Sequence, residues 1–258
     1  DTLEPSALYE YAHAINAENN TDLIYCDEDK LFVNGSYGDP FFKPDLSIDL
    51  LRSVNYICHF LAIRKTLFDS LEYGDEQYDG AQDHDLTLKA NEKARHVAHV
   101  AKILYHWRIS ENSTAGDPNS KLYAWDAGVK AVQAHLDRLG IAAKVCRGND
   151  PFTYKVAYAV PESHPLVSIV IPTKDHPTVL DTCIKSIIER STYDNYEIVI
   201  IENNSENQET FEYYSELEKS YPDTIRIEYW DAEFNFSKLM NFGASKAKGD
   251  YLLLLNND

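Results

Sequence analysis

The stretch Leu166–Asp175, LVSIVIPTKD, is a continuous apolar run that ends in polar residues. Three further apolar runs follow it at Tyr196–Ile201, Ile225–Trp230 and Tyr251–Leu255, and the segments between them carry helical patterns. Unbroken apolar strands that alternate with helices are typical of a parallel sheet that is buried on both faces. The sequence therefore predicts an α/β fold, with a mainly parallel sheet flanked by helices, for residues 166–258.

The first 146 residues show a less regular pattern, which predicts a separate domain. Leu23–Cys26 and Asn55–Ile63 are predicted as strands, and an amphipathic helix is predicted to end at Gly140. The acidic run Asp27–Asp29 could be either a second acidic site or a solvated turn. Glycine, asparagine and proline in the connecting stretch predict a linker. The predicted organisation is a first domain over 1–146, a linker over 147–165 and a second domain over 166–258.

Composition excludes several classes of function. The 258 residues include 24 Lys and Arg against 42 Asp and Glu, a formal net charge of −18, which argues against binding to nucleic-acid backbones. No apolar stretch approaches the roughly 20 residues that span a membrane. The four cysteines are too far apart for a CxxC pair or a zinc spacing. We therefore expect reduced thiols and a cytoplasmic protein that does not bind nucleic acid.

Polar residues follow three of the four predicted strands of the second domain. Because the carboxyl ends of parallel strands share one edge of the sheet, these residues are expected to lie close together. Amides and carboxylates there suit a base and a ribose, and a terminal acidic group suits a phosphate-bound divalent cation. Neither GxGxxG nor GxxxxGK[ST] occurs, so dinucleotide and P-loop sites are not indicated. The residues at the predicted strand ends are Thr173, Lys174 and Asp175, then Glu202, Asn203 and Asn204, then Asn256, Asn257 and Asp258.

Three ordered motifs of this domain, LVSIVIPTKD, YEIVIIENNS and LMNFGASKAKGDYLLLLNND, resemble the nucleotide-sugar half of family 2 glycosyltransferases of the GT-A fold. In that family an acidic motif after the fourth strand holds Mg²⁺ or Mn²⁺ on the donor diphosphate. The resemblance places this metal site at Asn256 and Asp258, with Asn256 standing where the family has an acidic residue. Glu202 stands where the family usually has Asp. The nucleotide contacts that the resemblance implies are Thr173, Asp175, Glu202, Asn203 and Asn241.

Five ordered motifs of the first domain resemble the acceptor half of the same fold, in a bacterial polysaccharide-assembly branch that includes rhamnosyltransferase-like enzymes. They are LIYCDEDK, FKPDLS, NYICHFLAIRK, YDGAQDHDLTLK and ILYHWRISENSTA. The resemblance implies that Asp83 is the catalytic base and that His106 completes the metal shell. It also places Gln82, Trp107 and Arg108 near the acceptor or the diphosphate. From the residues alone, Asp83 could instead be a helix N-cap and His106 a hydrogen-bonded core histidine.

The two halves occur in the reverse of the order in the family. DTLEPSALYEYAH resembles the segment that follows the acidic motif, and LLLLNND resembles the segment that ends at it. We therefore expect a tandem protein, of which this chain holds the back half of one transferase domain and the front half of the next. The halves are expected to pack so that Asp83 and Asp258 face one cleft, within one chain or across a swapped dimer.

These resemblances imply a glycosyltransferase of bacterial cell-surface polysaccharide synthesis. Its donor would be a UDP-, dTDP- or GDP-linked sugar, its acceptor a saccharide or a lipid-linked saccharide, and its reaction inverting and metal-dependent. It would act in the cytoplasm or at the inner face of the membrane, and this segment alone could be inactive. Two alternatives stay open: a non-catalytic transferase-like binding module, which Asn256 favours, and a nucleotide-binding α/β domain such as a nucleotidyltransferase.

Overall fold

A computed structural model describes residues 1–109 and 122–258, and the end of the ILYHWRISENSTA motif lies outside these residues. The described chain divides into two units, Asp1–Ala159 and Val160–Asp258. Each unit has its own sheet and its own buried core, and each is described by itself. No helix in either described stretch combines the length and the apolar character needed to cross a membrane.

The first unit is built on a mixed sheet with the strand order β1-β5-β2-β3, and β4 also pairs with β2. The two long strands, β2 and β5, run parallel, and the other pairs in this sheet are antiparallel. The strands of this unit are β1 (Thr2–Leu3), β2 (Thr21–Leu31), β3 (Tyr37–Phe41), β4 (Ala62–Ile63), β5 (His96–Arg108), β6 (Ala143–Arg147) and β7 (Tyr154–Tyr158). Its α-helices are α1 (Ala7–Ala17), α2 (Ile48–Ser53), α3 (Lys65–Phe68), α4 (Gln82–Lys93) and α5 (Leu122–Arg138), and a 3-10 turn spans Glu76–Tyr78.

Strand β2 is buried on both faces because helices cover each side of it. Successive strand residues point to opposite faces. Tyr25 accordingly packs in one cluster with Leu88 of α4 and Leu136 of α5. Its neighbour Ile24 packs in another cluster with Tyr11 of α1. The predicted strand at Leu23–Cys26 is thus confirmed as part of a longer central strand.

The predicted linker over 147–165 is corrected by the structure, because its first part is an ordered hairpin. Strands β6 and β7 pair antiparallel, and Tyr154 is buried in the core with Val132 and Leu136 of α5. The indole of Trp125 also donates to the carbonyl of Thr153. The boundary between the units falls between Ala159 and Val160. The turn-rich composition suggested a linker because the apolar side chains of the hairpin pack against α5, which lies earlier in the chain.

The second unit contains the predicted parallel sheet, with the strand order β10-β9-β8-β11. Helices pack on both faces of β8 and β9. Helix α8 approaches the sheet closely at Gly243, where an added Cβ would lie 2.4 Å from a methyl carbon of Val170. This confirms the α/β class predicted from LVSIVI. The elements are β8 (Val167–Thr173), α6 (Pro177–Arg190), β9 (Tyr196–Glu202), α7 (Gln208–Ser220), β10 (Ile225–Tyr229), α8 (Phe236–Lys246) and β11 (Tyr251–Leu254).

Strand β11 is an edge strand of this sheet and pairs with β8. All four of its residues are exposed within the described chain, from 45% for Leu253 to 63% for Tyr251. An apolar edge strand that is open on both faces is unusual for a soluble domain. The packing of two complementary transferase halves therefore stays a prediction. Burial of the exposed residues of β11 by such a half would test it.

Asp22 connects the start of β2 to the segments that precede α3 and β5. Its buried carboxylate accepts hydrogen bonds from the guanidinium groups of Arg64 and Arg95, at 2.7 to 2.8 Å, and from the backbone N–H of Arg95 at 3.0 Å. The hydrogen bonds from Arg95, supported by that from Arg64, hold the pKa of Asp22 well below its ordinary value, although burial opposes this shift.

We expect Asp22→Asn to lower the free energy of unfolding by about 1–3 kcal/mol at pH 7, because charged hydrogen bonds are lost. A carboxyl whose pKa is depressed on folding contributes stability above its unfolded pKa, near 3.9, and loses it as the pH falls. The difference between wild type and variant should therefore shrink by about 1 kcal/mol at pH 3, measured by urea unfolding. A difference of equal size at both pH values would contradict this assignment.

Candidate functional site

The carboxyl ends of β8, β9 and β11 line one cavity of about 530 Å³ in the second unit. Thr173 and Asn203 come from the ends of the two central strands, and Asn256 and Asn257 come from the segment after β11. The side-chain amide of Asn257 donates to the hydroxyl of Thr173 at 3.1 Å, which links two of these strand ends. The structure thus brings together polar residues from three strands at one edge of the sheet. Other lining residues include Lys174, His176, Glu233, Phe234 and Phe236.

Asn203 is fixed in orientation by two backbone carbonyls. Its side-chain nitrogen donates to the carbonyl oxygens of Trp230 and Ala232, at 3.0 and 3.1 Å, and the residue is only 3% exposed. Because an amide nitrogen can only donate, these bonds determine which atom is the oxygen. The side-chain oxygen is left as an acceptor for a ligand in the cavity that Asn203 lines.

Glu202 and Asp175, whose contact with a nucleotide stays a prediction, order the loop after β9. Glu202 is buried and accepts hydrogen bonds from Ser205 and from the hydroxyl of Tyr214 at 2.6 Å. Asp175 accepts from the backbone N–H groups of Glu206 and Asn207, each at 3.0 Å. These bonds, with that from Asn207 largest, lower the pKa of Asp175. Neither carboxylate lines the cavity.

The remaining predicted residues of this unit lie outside the cavity. Asn241 is exposed on α8 and does not line it. Asp258 is exposed and lines a neighbouring cavity with Cys183 and Asn257. In the two stretches that the structure describes, no group of three His, Cys, Asp or Glu side chains is placed to hold a metal ion. Metal binding by Asn256 and Asp258 stays a prediction, and it would require oxygen donors in addition to the Asp258 carboxylate.

His106 lies on β5 of the first unit and is buried. One of its ring nitrogens, Nδ1, lies 2.5 Å from a carboxylate oxygen of Asp29, and the other, Nε2, lies 3.1 Å from one of Glu4. Both ring nitrogens of His106 thus lie within hydrogen-bond distance of a carboxylate. This arrangement agrees with the alternative interpretation of His106 as a hydrogen-bonded core histidine. Metal ligation by His106 stays a prediction, and it would require the bond to Glu4 to be exchanged for the ion.

The acidic run Asp27–Asp29 is buried within β2, so the interpretation as a solvated turn is wrong. Asp27 lies 2.9 Å from the ring of His99, and Glu28 accepts from the buried ammonium group of Lys43 at 3.0 Å. Asp29 is paired with His106. Each carboxylate therefore has its own basic partner, as buried charges require.

The first unit contains a second cavity, of about 720 Å³, which is lined by the predicted residues Gln82, Asp83 and Trp107. Arg108, the next residue on β5, is exposed and does not line the cavity, because adjacent strand residues point to opposite faces. The structure thus brings Gln82, Asp83 and Trp107 together in one cavity, whereas Arg108 lies outside it.

Asp83 is the second residue of α4, and the N-cap of this helix is Ala81, so the interpretation of Asp83 as the cap is wrong. One carboxylate oxygen accepts from the backbone N–H of His84 at 2.9 Å, and the other accepts from the side-chain amide of Asn55 at 3.0 Å. No ion pair to Asp83 occurs among the described residues. Asp83 is exposed and lines the cavity, and its role as a catalytic base stays a prediction.

Comparison with known proteins gives a family match for the segment that contains the strand-end cavity. Residues 168–258 match the family described as "Glycosyl transferase family 2". Residues 168–258 belong to this family. This range contains the whole of the sheet edge that carries Thr173, Asn203 and Asn257, so the cavity lies in the part of the chain where the family is established.

Two relatives match this chain over its full length. The O-antigen biosynthesis protein RfbC of Myxococcus xanthus is 40% identical over 258 residues, which are 20% of that protein. The uncharacterized protein y4gI of Sinorhizobium fredii (strain NBRC 101917 / NGR234) is 36% identical over 261 residues, and the chain covers 28% of it. The chain thus spans between a fifth and about three tenths of the length of these relatives.

Two solved glycosyltransferase structures match about a third of the chain. The mannosyltransferase PcManGT from Pyrobaculum calidifontis, in complex with GDP-Man and Mn²⁺, is 18% identical over 36% of this chain and 28% of that chain, with a TM-score of 0.33. GalNAc-T7 with UDP, GalNAc and Mn²⁺ is 24% identical over 36% of this chain and 18% of that chain, with a TM-score of 0.34.

The first unit also contains cavity residues that were not predicted from the sequence. Asn55, Cys58 and His59 lie between α2 and β4 and line the cavity around Asp83. Burial, and then the charge of Asp83, raise the pKa of Cys58 to about 12, so it is a neutral thiol. Burial lowers the pKa of the His59 ring. These residues could have been identified from the sequence because Asn55 and His59 are polar residues within an otherwise apolar segment.

Proposed function

We propose that the chain is part of a glycosyltransferase that moves a sugar from a nucleotide-diphosphate donor to a saccharide or lipid-linked acceptor. The observation that carries the proposal is the strand-end cavity inside the family segment, together with the open carboxylate of Asp83 in the first unit. We further propose a role in bacterial cell-surface polysaccharide synthesis, at the cytoplasmic side of the membrane. The name of the Myxococcus relative supports this role.

Asn203 is proposed to read the base of the nucleotide. Its free side-chain oxygen is an acceptor, which suits the ring N–H group of uracil, thymine or guanine. Cytosine and adenine have no such ring N–H group at neutral pH and can donate only through an exocyclic amino group at a different position on the base. We therefore propose a UDP, dTDP or GDP donor in preference to a CDP or ADP donor. Thr173 and Asn257 would contact the sugar or phosphate part of the same ligand.

A divalent cation is proposed to bind with the donor diphosphate. Mg²⁺ is usually held by one or two carboxylates together with substrate phosphates. The single carboxylate of Asp258 fits such a partial site better than a preformed metal cage, and Asn256, two residues earlier in the chain, would supply a second oxygen. When bound, the ion would neutralise the charge that develops on the departing diphosphate.

Asp83 is proposed to act as the general base of an inverting transfer. Its carboxylate would take the proton of the acceptor hydroxyl while the acceptor oxygen forms its bond to the anomeric carbon. The bond from that carbon to the diphosphate oxygen breaks in the same step, and the nucleotide diphosphate leaves. Asn55 would keep the carboxylate oriented by its hydrogen bond. The complementary half of each cleft would come from a further part of a tandem protein or from a second copy in a swapped dimer.

The nucleotide site is tested by titrating the isotope-labelled chain with UDP, dTDP, GDP, CDP and ADP, with and without Mn²⁺, and recording NMR shifts. We expect shifts at Thr173, Asn203 and Asn257 with the first three nucleotides. Asn203→Ala should weaken their binding by about tenfold, as loss of one hydrogen bond predicts. A matched control, Gln208→Ala, changes an exposed amide on α7 and should bind like wild type. Shifts confined to the Asp27–Asp29 segment, or equal binding of CDP, would refute the assignment.

A further inference from the structure

The cavity around Asp83 combines aromatic rings with carboxylates. Trp107 of β5, Tyr123 of α5 and Phe152 of the β6–β7 turn line it, and Asp79 and Asp83 supply two carboxylates. An apolar lining with a few oriented polar groups is typical of a small-molecule site. Rings that pack on the C–H face of a sugar, next to oxygens that accept from its hydroxyl groups, provide the chemistry that a saccharide requires.

The backbone of this cavity wall is built for close approach. Gly80 has a φ of +90°, and an added Cβ would lie 2.6 Å from the Cβ of Ala124 and 3.0 Å from the ring of Tyr123. The turn before α4 therefore lies directly on the start of α5, which brings Asp79 and Tyr123 to the same wall. Phe152 also has a positive φ, of 60°, at the tip of its hairpin.

The described lining of this cavity contains neither lysine nor arginine. Burial lowers the pKa values of the two lining histidines, His59 and His84, which favours their neutral forms. Two lysines lie near the wall, and both are paired with Glu28. Lys43 is buried and donates to that carboxylate, and Lys30 lies 3.8 Å from it, over the ring of Trp107. The charge of the described lining is therefore negative, because it includes Asp79 and Asp83 but no lysine or arginine.

We infer that the acceptor is an uncharged saccharide and that this cavity discriminates against uronic acids and other anionic sugars. The inference rests on the proposed function, which makes Asp83 the base that faces the acceptor. A neutral sugar can donate its hydroxyl hydrogens to Asp79 and Asp83 and pack on the rings. A carboxylate on the same sugar would be desolvated beside two like charges, and the repulsion should weaken binding by about 10- to 100-fold.

The test compares matched pairs of probes on the 258-residue chain. Methyl β-glucoside is paired with methyl β-glucuronide, and methyl β-galactoside with methyl β-galacturonide, so that each pair differs only at C6. Binding is followed by NMR at the indole N–H of Trp107 and at the backbone amides of Asp83 and Tyr123. We expect the neutral member of at least one pair to shift these signals and its uronate to bind at least about tenfold more weakly.

Asp79→Asn should narrow this difference by several-fold, whereas Asp69→Asn, which removes an exposed carboxylate paired with Lys65, should leave it unchanged. If Asp79→Asn does not fold, raising NaCl from about 0.05 to about 0.5 M should narrow the difference in wild type, because salt screens the repulsion. Equal or tighter uronate binding, or no shift with any neutral glycoside, would overturn the inference. A chain that binds nucleotide but no glycoside would refute this inference alone, whereas failure to bind any nucleotide would refute the proposed function.

Discussion

Asp83→Asn is expected to lower turnover by about 10²- to 10⁴-fold in the intact protein, because loss of a general base removes proton transfer from the transition state. The affinity for the donor nucleotide should change little, since the cavity that the nucleotide is proposed to occupy lies in the other unit. The measurement is kcat and KM with a nucleotide sugar and acceptor, together with nucleotide binding by calorimetry. A fall in kcat without a change in nucleotide affinity is the signature of a residue that acts in the chemical step.

The matched control for this variant is Asp75→Asn. Asp75 is an exposed carboxylate that caps the 3-10 turn before α4, and asparagine can make the same hydrogen bond to the backbone N–H of Gln77. It does not line the cavity, so its replacement should leave turnover at the wild-type value. Because the N-cap of α4 is Ala81, an unchanged turnover in Asp83→Asn would count directly against the base role.

The parallel sheet of the second unit was predictable because its signal is local. Strands that are buried on both faces, such as Tyr196–Glu202, must be apolar along their length whatever surrounds them. The convergence of Thr173, Asn203 and Asn257 followed from strand direction alone. Strand direction alone could not show which of the strand-end residues line the cavity. The Glu202 carboxylate accepts hydrogen bonds from Ser205 in the loop that follows it, and this contact is visible only in the structure.

In the first unit, the features that sequence reasoning missed depend on contacts between residues that are far apart in the chain. Asp27–Asp29 looks like a polar turn until His99, Lys43 and His106 are placed beside it. The hairpin that replaces part of the predicted linker is likewise ordered by α5. Buried charged networks are poorly predicted from sequence because each member looks solvated until its partner is known.

Lys43 connects this buried network to the cavity around Asp83. Its ammonium group is fully buried and donates three hydrogen bonds, to Glu28 at 3.0 Å and to the backbone carbonyls of Ile57 and His59 at 2.8 and 2.9 Å. A lysine ammonium has three donors, so this group is fully satisfied. One side chain thereby ties strand β2 to the segment that carries Asn55, which in turn contacts Asp83.

Lys43→Met is expected to lower the free energy of unfolding of the first unit by about 3–5 kcal/mol, because it leaves Glu28 as a buried charge without its closest partner and frees two buried carbonyls. Urea unfolding followed by circular dichroism gives the measurement. The double variant Lys43→Met with Glu28→Gln should recover part of the loss, since the uncompensated charge is gone. The exposed pair of Lys65 and Asp69 provides the control, and Lys65→Met should cost less than about 0.5 kcal/mol. If Lys43→Met cost no more than this control, Glu28 would have to be satisfied by Lys30, at 3.8 Å, and the cavity segment would need another support.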